Sequence, residues 1–148
     1  MAIVLACALG GFPAALSAEG GKARVTVKGA VFSVDVVETP AAQSRGLGGR
    51  ARLASGEGML FLYASKERRS FWMKAMLISI DIIWLENRRV VHIEHNVPPP
   101  ARGTRDWNLP TYAPAVPANG VLEIAAGRAR ALGLRVGDLI AIRLGAQG

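Results

Sequence analysis

Residues 70–85, SFWMKAMLISIDIIWL, form the longest run of large apolar residues outside the N-terminal segment, and only Lys74 and Asp81 within it carry charge. An ionised group in apolar surroundings is costly unless it is paired or hydrated. Any fold that buries this run must therefore accommodate two opposite charges. Residues 78–85 are mostly apolar at odd and even positions alike, as expected of an interior strand covered on both faces. Residues 71–73 read as a shorter strand, with a kink over 74–77. The chain has 148 residues, enough for one domain with a real core and too few for two comfortable ones.

Other segments carry more local signals. Val25 and Val27 alternate with Thr26 and Lys28, and Phe32, Val34 and Val36 alternate with Ser33 and Asp35. Both stretches read as half-buried strands, with Gly29 allowing a turn between them. Thr39-Pro40 supplies an N-cap followed by Pro at the first helical position, and Gly46 is a C-terminal stop, so TPAAQSRG reads as one short helix. Further strands are expected over residues 59–63, 89–95, 121–124 and 139–143, with a second short helix at 128–132. Residues 96–118 are rich in Pro and include Trp107, which points to an ordered covering loop with a role in binding. The expected class is mainly β or α+β, a compact antiparallel barrel- or sandwich-like domain with two short helices. No repeated strand–helix–strand pattern suggests a doubly wound parallel sheet.

Residues 1–16 are apolar and uncharged, and Ala14-Ala15-Leu16-Ser17-Ala18 offers small residues for a signal peptidase. Residues 1–18 are expected to be a signal peptide and 19–148 a single globular, periplasmic or secreted domain. No Lys or Arg precedes the apolar run, so either the amino terminus alone supplies the positive charge or the true start lies upstream. The run is too short for a comfortable membrane span, and no stable membrane insertion is expected after cleavage. Cys7 is the only cysteine. After cleavage, disulfides and thiol chemistry are excluded. The net charge of +7 suggests an anionic partner or simply an Arg-rich, solvated surface. The basic residues are dispersed and no recognition module is visible, which disfavours nucleic acid.

RGLGGR (45–50), EGMLFLY (57–63), SFWMK (70–74), DIIWL (81–85), the Pro run after His95, and VLEIAAG (121–127) followed by VGD (136–138) occur in an order that resembles the domain of unknown function 192 family. The resemblance spans residues 25–143. It implies a small, mainly β domain, often exported in bacteria, with no established biochemical activity. The family typically has Met and Phe where Gly48 and Gly49 stand here, Asn-Thr in place of Ala75-Met76, and often Pro in place of Ser79.

The polar residues within these motifs are Arg45, Arg50, Glu57, Lys74, Asp81 and Glu123. Asp81 and Glu123, two acids in apolar strands, would suit a cell-envelope glycan hydrolase if they stood roughly 5 to 10 Å apart across a cleft. The blander reading pairs Asp81 with Arg45, and Glu123 with Lys74 or Arg50, as buried ion pairs. His92 and His95, three apart on a strand, point to opposite faces and make a poor metal pair. No metal or cofactor is expected. Trp84 reads as core, whereas Trp72 and Trp107 are candidates for stacking on a ligand ring. The favoured function is a non-catalytic binding or accessory module for a small or glycan-like, possibly anionic ligand held by Arg45, Arg50, Trp72, Lys74 and Trp107. The alternatives are the hydrolase using Asp81 and Glu123, and a partner-docking module acting through residues 96–117.

Overall fold

The computed structural model describes residues 21–145. The expected signal peptide and Cys7 lie outside them. Strands β1 (Lys22–Val27) and β2 (Ala30–Val37) form a hairpin whose two turn residues, Lys28 and Gly29, have φ of 49° and 84°. Positive φ at both positions lets a two-residue loop follow the natural strand twist. Helix α1 (Pro40–Arg45) begins as its sequence dictates, with the Thr39 side chain accepting a hydrogen bond from the Ala42 backbone N–H at 3.3 Å. It ends at Gly46, whose φ is 49°.

The chain continues through β3 (Glu57–Glu67), β4 (Phe71–Trp72), β5 (Ile80–Glu86), β6 (Arg89–Val97), a 3₁₀ turn at Asp106–Asn108, β7 (Thr111–Tyr112), β8 (Ala118–Ala125), α2 (Arg128–Ala131) and β9 (Ala141–Leu144). Seven strands form one sheet in the order β6-β5-β8-β3-β2-β1-β9, and β4 pairs with β7 separately. The domain is mainly β with two short helices, as expected. The sheet is mixed rather than wholly antiparallel, because β2 and β3 run parallel, joined through α1. A six-residue helix is too short to announce a β–α–β crossover in the hydrophobic pattern.

The sheet does not close into a barrel, but its edges approach one another at one corner. Arg89 bridges Leu139, the Val90 N–H donates to the Asp138 carbonyl, and the Ile140 N–H donates to the Arg88 carbonyl. The concave face encloses one core built from Val25, Phe32, Leu60, Ile83, Leu122, Ile124 and Ile140, among others. The opposite face carries a second core in which Phe61, Ile82, Trp84 and Val121 meet α1, Leu47, Met73 and Met76. Phe71 stands edge-on to Phe61 and Trp84, at 5.1 and 5.8 Å between ring centres. Because Phe71 pairs with Tyr112, the Pro-rich segment is drawn over this second core. No described helix is long and apolar enough to cross a membrane.

Strand β5 is buried at every position from Ile80 to Leu85, since it lies between β6 and β8 with a core on each face. The β3–β8 contact is tight at Gly58, where a Cβ would stand 2.5 Å from the Glu123 carbonyl oxygen. Gly58→Ala is expected to cost about 1–3 kcal/mol of stability, the usual penalty for forced overpacking. Chemical denaturation would show this as a lower midpoint with an unchanged slope.

Candidate functional site

Two acids are buried among the described residues, Asp81 at 0% and Glu123 at 5% exposure. Their strands are adjacent, but in the register Asp81 faces Ile124 and Ile82 faces Glu123. Side chains alternate faces along a strand. Asp81 therefore points to the concave side with Ile83 and Ile124, and Glu123 points to the opposite side with Ile82 and Val121. The sheet separates the two carboxyls, so they cannot flank one glycosidic bond, and the acid-pair hydrolase is not supported.

Neither acid forms the ion pair expected of it. The Asp81 carboxylate instead accepts three backbone N–H groups, from Asn96 at 2.9 Å, Gly127 at 3.0 Å and Ala129 at 2.8 Å. Three such donors can hold a buried carboxylate without a cation. Arg50 donates to Asp35 at 2.7 Å, and Lys74 donates to Asp106 at 2.5 Å. Arg45 makes no ion pair among the described residues.

Glu123 is in a different situation. Burial pushes its carboxyl up to about 8, and no donor or cation opposes that shift. It lines a cavity of about 40 Å³ together with Leu47, Phe61, Phe71, Met73 and Met76. The same cavity is bordered by Ser44, Arg45, Trp72 and Lys74, which are more exposed and form its rim. Those four residues also border a shallower depression of about 470 Å³, completed by Ala41, Gly48, Gly49 and Ala75. The two spaces share these four residues as walls, one an open depression and the other a narrow pit with a single carboxyl.

The rim follows from local structure. Arg45 ends α1, and Trp72 ends β4. Lys74 begins the turn after β4, and its ammonium lies 5.2 Å from the centre of the Trp72 ring. The Lys74–Asp106 pair brings in the 3₁₀ turn that carries Trp107, which is 75% exposed with the Arg105 guanidinium over its ring. Thus Arg45, Trp72 and Lys74 are brought together, and Trp107 is tethered nearby. Arg50 is not part of this depression; it borders a neighbouring one with Lys22, Asp35 and Arg45. Trp84 is fully buried core, its indole N–H donating to the Arg69 carbonyl at 3.2 Å. His92 is bonded to Glu94 at 3.0 Å, and no group of three metal-ligating side chains occurs among the described residues. Asp106 stands with Trp107 and Tyr112 in the loop that the sequence marks as a cover, but its pairing with Lys74 was not foreseen. An acid in a Pro-rich loop has no local pattern that names a lysine 32 residues away.

The family model of DUF192, described as an uncharacterised ACR, matches residues 23–142. The chain belongs to the DUF192 family. A crystal structure of a protein of unknown function from Novosphingobium aromaticivorans DSM 12444 is similar, with 34% identity and a TM-score of 0.70 over 81% of this chain and 83% of that one. A protein from Sinorhizobium meliloti 1021, described as a candidate transcription regulator, has a TM-score of 0.69 at 24% identity, covering 82% of this chain and 92% of that one; this likeness shows the fold alone. No curated protein matches.

Three of the departures from the DUF192 pattern, Gly48, Gly49 and Ala75, line this depression. Ala75 has φ of 57°, a left-handed conformation that Asn tolerates better than Ala. The family's Asn at this position therefore has a backbone reason. At Gly49 a Cβ would meet nothing within 4 Å, so its edge of the depression is open where the family typically carries a large side chain.

The two acids are expected to respond differently to substitution. Asp81→Asn leaves at least one of three backbone N–H groups without its acceptor and is expected to cost about 1–3 kcal/mol, read as a lower melting temperature. For Glu123, the unfolded chain titrates near 4.5 and the folded chain near 8. Between those values only the folded state holds the proton, so its stabilising contribution is complete below the lower value and lost as pH rises through the upper one. Wild type is expected to lose stability across this window more steeply than Glu123→Gln. Melting curves of both proteins across that range check the difference in slope.

Proposed function

We propose that this DUF192 domain is a non-catalytic, exported binding module for a small, anionic, glycan-like ligand. The carrying observation is the rim itself, with Arg45 and Lys74 flanking the 43%-exposed Trp72 beside a depression of about 470 Å³ whose lining contains no carboxylate. Pockets of a few hundred Å³ suit small molecules. An Arg fork binds a carboxylate bidentately, and an indole face takes a sugar ring or another flat apolar face. The Trp107 turn is tied to the rim through the Lys74–Asp106 pair. Export is supported by the apolar, uncharged residues 1–16.

Galacturonate and neutral galactose, compared by thermal shift, test this reading. Galacturonate at a hundred times its Kd is expected to add about 2.7 kcal/mol of stability, a rise of several degrees, while galactose gives little. Arg45→Ala with Lys74→Ala is expected to abolish the rise, and added salt to reduce it. No shift with galacturonate or other acidic sugars would remove the reading. The exposure of Trp107 and Val116, 75% and 44%, favours partner docking through residues 96–117 as the second reading. Capture of a periplasmic protein that depends on Trp107 and survives the double rim substitution would favour it.

A further inference from the structure

The cationic rim accounts for the charge of the proposed ligand but leaves the pit below it unused. Two polar side chains line that pit behind the rim: Gln43, whose amide nitrogen is already spent on the Val37 and Leu62 carbonyls at 3.4 and 3.0 Å, and Glu123, a buried carboxyl without a hydrogen-bond donor or cation of its own. In the proposed site, an ionised carboxylate there would repel the anion that Arg45 and Lys74 attract. A carboxylic acid does the opposite, because its O–H is a donor. We infer that Glu123 is a ligand-binding residue of this site, meeting the ligand as a neutral acid and donating a hydrogen bond to one oxygen of a hydroxyl or carbonyl group that enters the pit.

This inference rests on the proposed binding reading and adds a specificity element to it. A volume of about 40 Å³ admits a group of roughly water size and no ring. The ring must then stay above, against Trp72, with its carboxylate toward Arg45 and Lys74. A ligand with no oxygen to offer would leave the buried acid unpaired, and a site of that kind discriminates strongly against such analogues.

The groups around Glu123 leave it as the titrating partner. On its own face of the sheet, the register sets Met59 and then Asp35 to one side, and Ile82 and then Glu94 to the other. Lys22 and Arg50 hold Asp35, and His92 bonds Glu94. Tyr63, also on β3, is pushed up to about 12 by burial, with Glu123 adding to the rise and Arg69, over its ring, opposing it. From the covering layer, α1 contributes Arg45 and the turn after β4 contributes Lys74, while Leu47, Phe71, Met73 and Met76 are apolar.

Calorimetric binding of galacturonate at about pH 7 and about pH 9 tests the inference in wild type, Glu123→Gln and His92→Gln. Wild type is expected to bind about tenfold more weakly at the higher pH, since only the protonated form is competent. Glu123→Gln keeps an N–H donor, so its affinity is expected to stay within a few-fold of wild type at the lower pH and to change little between the two. His92→Gln is expected to keep the wild-type fall. Titrations of wild type at about pH 8 in two buffers of different ionisation enthalpy are expected to show proton uptake on binding. Equal wild-type affinity at both pH values, the same fall in Glu123→Gln, or no proton uptake would overturn the inference while leaving the binding site standing. Absence of galacturonate binding at both pH values would instead overturn the site reading on which it rests.

Discussion

The Asp81 carboxylate, with its three backbone donors, is the contact on which the rest of the structure depends. One donor belongs to Asn96, near the end of β6, and two belong to the turn that opens α2. Asp81 sits on β5, so a single side chain fastens an interior strand to the chain leaving the sheet's edge and to the chain leaving β8. Asn96 adopts φ of 53° to present its N–H, and Gly127 adopts 82°. Backbone held this way at two points explains how a sheet that does not close by strand pairing still keeps one concave core.

Glu123 lies one strand away and faces the other core. The contrast between the acids is chemical rather than positional. The Asp81 carboxyl is tied to the backbone by three N–H donors, whereas the Glu123 carboxyl has none and burial favours its protonated form. Burial therefore assigns the first acid to architecture and leaves the second with a proton. That proton is held in a narrow pit beneath two cations and an exposed indole, an arrangement a purely structural core has no need of. Perturbed acids cluster at functional sites for this reason.

Much of the architecture was legible because it is local. Thr39-Pro40 and Gly46 mark α1, and the apolar residues 78–85 mark a strand covered on both faces. The pairing of β4 with β7 was not legible, because two-residue strands 40 positions apart carry no periodicity. The site was half visible. Arg45, Trp72 and Lys74 lie in motifs close in sequence, and the fold joins them. Arg50 looked equivalent, but the hairpin places Asp35 within its reach. The acids misled in a specific way. Residue type suggested ion pairs or an acid dyad, while strand parity sets them on opposite faces, and backbone N–H groups, invisible in a sequence, hold Asp81.

The central claim is that Glu123, buried without a donor or cation, keeps its proton near neutral pH. Infrared spectroscopy of the carboxyl stretch at about pH 7 measures this directly. A protonated-carboxyl band that disappears in Glu123→Gln and survives in Asp81→Asn is the predicted result. A spectrum with no protonated carboxyl, or with a band that follows Asp81, would contradict the account.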